Sequence, residues 1–420
     1  MSNWTRRHIF RGVAALPTLP LLLMNRVTAA AARQANSANA ETSNSPGAST
    51  LARRIKAPTP LLHTTDLYRP HLDPDDHWDL ATGYALSRKG DLDLIGVMTD
   101  NPQNFEEFPE RLKAVMQFFD AGMHVDRSPD IAAVALLNYL TDNAVPVTTG
   151  TLWPGKPGEK VRAEHLPKEL HGVRMLLNSL RRSSRPVAIM IGGSCQDVAI
   201  AGRLEPKLFA EKCAGIYLNV GVGSQNPTDQ SIDGELEWNV SLNRGAYATI
   251  FELPCPIYWM PCFTKFSDAR DLLVGEYGTC WSFKYKDVFP YLSNHMQAYF
   301  SYVLTKESGT NWLTYLLDPN SVSAAQQFFD RTKGMWSTAA FVHAAGQVVT
   351  VDGEVLAAEA AGERAAYEFV PVNVRCDENG ITSWQKVNGP ANRYIFRVRD
   401  QSKYSSAMTA ALKVMLLELP

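Results

Sequence analysis

The stretch HTTDLYRPHLDPDDHWDLATGYAL, residues 63–86, decides how this chain is read. It sets five aspartates, Asp66, Asp73, Asp75, Asp76 and Asp79, between an apolar lead-in and an apolar tail. TPLLHTTD has the pattern of a strand ending at Asp66, and DHWDLATGYALSRKG that of a helix closed by Gly90. The acids therefore fall at the carboxyl end of a strand and in the first turn of the next helix. A helix dipole favours negative charge there by up to about 1 kcal/mol at exposed sites, too little to hold several close carboxylates. A hard cation, Ca²⁺ or Mg²⁺, prefers oxygen ligands and would offset the charge. The alternative is that Asp75 or Asp76 caps the helix and the others are solvated.

Working outward, DLDLIGVMTD (91–100) reads as a second strand. Helical periods follow at 106–119 and 130–142, then a strand at 144–151, a helix at 169–182 and a buried strand, RPVAIMIGG, at 185–193. A helix over 195–210, a strand over 213–223, a helix over 243–252 and a strand over 255–261 complete the run. Near-continuous apolar strands alternating with helices predict a mostly parallel α/β sheet covered on both faces. Ligands bind such Rossmann-like sheets outside the carboxyl ends of the strands. Asp66, Asp100 to Asn104, Gly192 to Asp197 and Gly223 to Asn239 all follow strands. Residues 345–420, with a turn at Glu378–Gly380 and a final amphipathic helix, read as a small C-terminal β/α elaboration of the same domain.

The chain has 420 residues, 45% apolar and 20% charged, with net charge −2. Such a balance gives no basic field for nucleic acid. The six cysteines form no C-x-x-C pair and read as scattered core thiols. TRRHIFRG (5–12), followed by the apolar run 12–24, resembles a twin-arginine signal peptide. Residues 1–34 are thus expected to be removed on export through the twin-arginine translocase to the periplasm or beyond, leaving no membrane span. Residues 35–55 read as a disordered linker and 56–420 as the folded domain. GTLWPGKP (150–157) fails as a phosphate loop because Pro157 stands where Ser or Thr must bind Mg²⁺.

TTD, then DPDD, then a helix ending ATGYAL resembles the opening signature of the inosine-uridine-preferring nucleoside hydrolase family. DLDLIGVMTDNPQN, DNAVPVTTG, IGGSCQDVAIA, GELEWNVSLNRGAYATIFE and CPIYWMPCFT are similar to later family segments, in the same order, over roughly residues 58–345. The resemblance implies a nucleoside-hydrolase-like fold and a set of roles. Asp66 would bind Ca²⁺, with Mg²⁺ the lesser alternative, and help activate water. Asp76 would bind the ion, as would the backbone carbonyl at Gln196. Asp75, Glu237 and Asn239 would hold the sugar hydroxyls, with Trp238 against the sugar face and Asn104 in a looser part of the match.

N-glycoside cleavage passes through an oxocarbenium-like state that nearby carboxylates stabilise. The expected function is therefore an exported, metal-dependent hydrolase of the N-glycosidic bond of ribonucleosides or a related glycoside. The alternative is a non-catalytic nucleoside- or sugar-binding protein that has lost part of the metal site. Homo-oligomerisation is left open.

Two departures bear on this. The loop between Asp66 and the Asp75–Asp76 pair is lengthened by LYRPHLDP. In GMWSTAAFVHAAG (334–346), Trp336 and Ser337 fall where the family carries a His-Asp pair, leaving-group acid and metal ligand. Asp79 or Asp73 is the expected substitute ligand. Trp336 reads as a core residue or a base-stacking one, and His343 as an ordinary helix histidine.

Overall fold

A computed structural model describes residues 58–67, 74–100, 128–151, 170–305, 316–318 and 320–420. The signal and linker segments, the 106–119 helix, most of the rejected phosphate loop, Asp73, and the LYRPHL insertion apart from Leu67 lie outside them.

Nine strands form one sheet. In chain order they are β1 (Thr59–Thr65), β2 (Leu92–Thr99), β3 (Val147–Thr149), β4 (Val187–Gly192), β5 (Cys213–Leu218), β6 (Ile257–Trp259), β9 (Tyr367–Cys376), β10 (Thr382–Lys386) and β11 (Arg393–Val398). An antiparallel pair, β7 (Trp281–Lys284) and β8 (Thr332–Met335), stands apart from the sheet. The sheet order is β10-β9-β11-β6-β5-β4-β1-β2-β3. From β3 to β11 every neighbour is parallel; β9 and β10 run antiparallel at one edge. The 3-2-1-4-5-6 order reverses direction between β1 and β4, the place where open parallel sheets part to form a crevice.

Helices cover both faces, as near-continuous apolar strands require. They are α1 (Pro74–Lys89), α2 (Ser128–Thr141), α3 (His171–Arg182), α4 (Gln196–Leu204), α5 (Trp238–Leu242), α6 (Arg244–Ile250), α7 (Asn294–Leu304), α8 (Thr338–Ala344) and α9 (Gln401–Leu416). Period-2 alternation divides the strand residues between two cores. Leu61, Val97 and Met190 face the core made with α1, α2, α7, α8 and α9. Leu62, Met98 and Ile191 face the one made with α3, α4 and α6.

Helix α1 carries Asp75 and Asp76 in its first turn and Arg88 and Lys89 in its last, matching its dipole at both ends. Residues 75–86 are all buried, so this is a central helix rather than an amphipathic surface one. Trp78 is fully buried and stacks on Phe300 of α7, ring centroids 3.6 Å apart.

Several expected boundaries moved for local reasons. The helix expected over 195–210 ends at Leu204 and restarts at Pro206, since proline disfavours helical backbone before it. The strand expected over 144–151 keeps only Val147–Thr149, because the Asn138 amide takes both backbone groups of Val145. The strand expected to run to 223 stops at Leu218. Beyond it the chain turns through Gly221 at φ 89°, where a Cβ would lie within 3 Å of the Tyr247 ring. The C-terminal segment does more than decorate the domain: β11 pairs in parallel with β6 and continues the main sheet.

Trp78→Ala should lower stability by about 3–5 kcal/mol, the usual cost of emptying a buried tryptophan site. Urea unfolding followed by circular dichroism measures it; a loss under 1 kcal/mol would mean that α1 is not central.

Candidate functional site

A cleft of about 360 Å³ opens at the carboxyl ends of β1, β4 and β5. Asp66, Asp75, Asp76, Glu237, Trp238 and Asn239 all line it. Six of the eight expected site residues thus converge on the crevice where the strand order reverses. Asn104 lies outside the described residues. Gln196 does not line the cleft. It begins α4, where a carbonyl faces the amide four residues on rather than a neighbouring loop. Its side chain is tied to the Thr151 carbonyl and the Asn243 amide.

The acids close in because β4 ends in two glycines. A Cβ on Gly193 would lie 2.6 Å from both the Asp66 amide nitrogen and Asp100 Oδ2. One on Gly192 would meet Ser337 Oγ at 3.3 Å and Asp76 Oδ1 at 3.5 Å. Any side chain there would push β1 and β2 ends apart. Asp100, at the end of β2, accepts the Ser194 amide and belongs to the same crowd of charge.

Asp66 Oδ2 accepts the Trp238 indole N–H at 2.9 Å. Burial raises the Asp66 carboxyl well above the ordinary range, and the nearby Asp76 and Asp100 charges add to the rise. Asp75 is ion-paired with Lys333 of β8, both side chains largely buried. Nothing local in the sequence marked that lysine. Its place is set by the pairing of β8 with β7, where Lys333 stands opposite Phe283.

Glu237 caps α5 and takes the amide N–H groups of Gly221, Asn239 and Val240 at 2.8–3.2 Å. Burial still pushes its carboxyl up. Its role is to shape the loop as well as to line the wall. Asn239 donates to the Asn219 carbonyl, while its Oδ1 is buried with no hydrogen-bond partner among the described residues. A buried orphan acceptor on a cleft wall asks for a ligand donor.

Asp79 does not take the place of the missing ligand, and Asp73 lies outside the described residues. Asp79 turns away, accepting the Ser337 amide at 3.0 Å and the Thr338 hydroxyl at 2.5 Å, and so caps α8 from outside. Ser337 lines the cleft and donates its hydroxyl to Asn219 Oδ1 at 2.9 Å. Among the described residues no three His, Cys, Asp or Glu side chains are arranged to hold an ion. Among the described residues the donor set falls short of the one the resemblance implies, since an alcohol replaces one carboxylate; an ammonium engages Asp75, the neighbouring acid expected at the sugar. His63 supplies no positive charge, because burial holds it neutral by lowering its pKa to about 3.

The opposite wall is apolar: Phe263, Phe266, Ala269, Leu272 and Trp336. Trp336 packs edge-on to Phe263 against a small apolar cluster and also lines the cleft. His343 stays away from the cleft, bonded to the Tyr217 hydroxyl at 2.9 Å.

No family model and no curated protein matches the chain. Among solved structures it is similar to the inosine-uridine preferring nucleoside hydrolase of Bacillus anthracis, with 12% identity over 85% of this chain and 99% of that one and a TM-score of 0.43. A purine-preferring ribonucleoside hydrolase from Gardnerella vaginalis matches at 13% identity over 86% and 99%, TM-score 0.48. A plant nucleoside hydrolase matches at 13% over 85% and 99%, TM-score 0.48.

Burial pushes Asp79 up to about 8, from 3.8. The folded state then holds a proton that the unfolded chain releases near pH 4, so stability falls as pH rises between the two values. Asp79→Asn should flatten that slope while keeping an acceptor for the Ser337 amide; Asp79→Ala should cost about 1–3 kcal/mol from the orphaned amide. Urea midpoints at pH 5 and 8 decide it: equal slopes in the parent and Asp79→Asn would remove Asp79 from the account.

Proposed function

We propose that this chain, exported through its twin-arginine signal, hydrolyses the N-glycosidic bond of ribonucleosides or a closely related glycoside. One observation carries the reading. Asp66, Asp75 and Asp76 meet Glu237, Trp238 and Asn239 in a single cleft at the sheet's switch point, opposite an aromatic and aliphatic wall. A cleft with polar groups on one side and apolar surface on the other suits a sugar joined to a flat base.

In this reading Asp66 takes the proton of the attacking water. A base works best when its pKa lies near the working pH, and burial together with the neighbouring Asp76, Asp100 and Asp75 moves Asp66 in that direction. Asp75 and Asp76 face the sugar, where negative charge stabilises the positive anomeric centre as the bond to nitrogen lengthens. The unpartnered Asn239 Oδ1 accepts a sugar hydroxyl. Ca²⁺, which the resemblance implies, enters no step of this reading.

Among the described residues the apolar wall offers Trp336, Phe263 and Phe266 and no carboxylic acid. In this reading the departing base takes its proton from water rather than from that wall. Sugars with good leaving groups should be the faster substrates.

Asp66→Asn should lower kcat by about 10²–10⁴-fold, as expected for loss of a general base, while a nucleoside still raises the melting temperature. The parent's kcat/KM should fall on acidification with a midpoint well above the ordinary carboxylate range, because Asp66 must be ionised to act. 4-Nitrophenyl β-riboside should turn over faster than inosine. If none of a panel of nucleosides and ribosides yields free sugar, yet one raises the melting temperature, the chain is a binding protein and the hydrolase reading fails.

A further inference from the structure

The charge that offsets the acids of this cleft comes from the chain itself. Lys333 lies in β8, its side chain 17% exposed, and forms an ion pair with Asp75, itself 11% exposed. The ammonium also sits 5.7 Å from the Trp336 ring, so the aromatic wall faces it as well. A lysine on a short strand, paired along its backbone with β7, is held by the fold rather than carried on a loop.

Several of the oxygens that a divalent ion would need have other engagements. Asp79 caps α8 through the Ser337 amide and the Thr338 hydroxyl. Ser337 offers a neutral alcohol, bonded to Asn219. Asp66 receives the Trp238 indole N–H, and Asp100 receives the Ser194 amide. A divalent cation brought among Asp66, Asp75 and Asp76 would have to break the ion pair and lie close to a like charge in a poorly solvated site. Like charges repel most strongly where water is scarce.

We propose that Lys333 takes the charge-balancing place of the divalent cation in this cleft, so that the protein is independent of Ca²⁺ and Mg²⁺. The replacement joins three features that otherwise stand apart: a serine where the resemblance implies a ligand aspartate, a spare aspartate turned to a helix end, and an ammonium on the carboxylate expected to grip the sugar. It concerns the same cleft as the reading above but does not require that the cleft hydrolyse anything.

Calorimetric titration of the EDTA-treated full chain with CaCl₂, and separately with MgCl₂, tests it. No saturable binding is expected up to about 10 mM, beyond the weakest calcium modules at ~10⁻³ M. The melting temperature should not move with either salt. Lys333→Met combined with Ser337→Asp should restore the missing carboxylate and remove the resident charge, raising Ca²⁺ affinity at least about 10-fold over the parent. Lys333→Gln, a milder change, should show a smaller gain in the same direction.

A parent that binds one Ca²⁺ with Kd below about 1 mM overturns the proposal, whatever the variants do. Folded variants that gain no Ca²⁺ affinity also overturn it, since Lys333 would then not be the group that excludes the ion. If the double variant does not fold, Lys333→Gln and the parent titration still decide. Absence of turnover with Ca²⁺ indifference refutes the hydrolase reading and leaves this inference standing. Turnover only in the presence of Ca²⁺ does the reverse.

Discussion

Everything at this cleft depends on how buried carboxylates are kept together. Asp66, Asp75, Asp76 and Asp100 gather where β1, β2 and β4 end, and all four are nearly excluded from water. Carboxylates placed this way raise one another's proton affinity, and desolvation adds to the effect. Only a proton, a metal ion or a fixed cation can offset the repulsion. Among the described residues the Lys333 ammonium meets Asp75, the Trp238 indole donates to Asp66 and the Ser194 amide donates to Asp100. Three different elements therefore have to be in place before the acids can approach.

The topology explains why they can. Parallel strands all end on the same side, and the reversal of order between β1 and β4 leaves a gap that no connection crosses. Gly192 and Gly193 make the gap narrow enough for acids from two strands and a helix to meet. Asn219, the first residue beyond β5, links the far side: its amide group binds the Met260 carbonyl and Thr279, while Ser337 donates to its oxygen. The same residue that ends the strand thus fixes the cleft wall to the segment that carries Trp336 and Ser337.

Much of this was legible in the sequence because it is local. The strand before Asp66, the helix after Asp75 and Asp76, and the paired glycines of IGGSC are each written within a dozen residues, and the structure has them where the pattern puts them. What could not be read depends on long-range pairing. Lys333 looks like any lysine in a four-residue strand; only the register of β8 on β7, across nearly fifty residues of chain, brings it to Asp75. Asp79 shows the same limit from the other side. It shares a helix face with Asp75 and Asp76, but one turn further along the helix it meets the start of α8 instead of the cleft. Composition counts acids, and the elements packed against each one decide which of them face the ligand.

The two departures at 336 and 337 make most sense as one change. Replacing a histidine alone would remove a leaving-group acid and leave a metal-centred cleft. Replacing the aspartate alone would weaken ion binding and leave the acid. Here both positions differ together: Trp336 extends the apolar wall, and Ser337 becomes part of a neutral hydrogen-bond chain through Asn219. With the ammonium of Lys333 approaching the Trp336 ring, a cation and an aromatic face occupy the region where the resemblance would place an acid and a metal ligand. If the cleft hydrolyses N-glycosides as proposed, such a site shifts the work of catalysis from the leaving group to the sugar. Stabilisation of the anomeric cation by fixed carboxylates then matters most, and the aromatic wall contributes by holding the departing ring in place. On that proposal the division favours substrates whose bond to the sugar is already weak, and the proposed activity turns on the spacing of Asp66, Asp75 and Asp76, set by two glycines and one lysine.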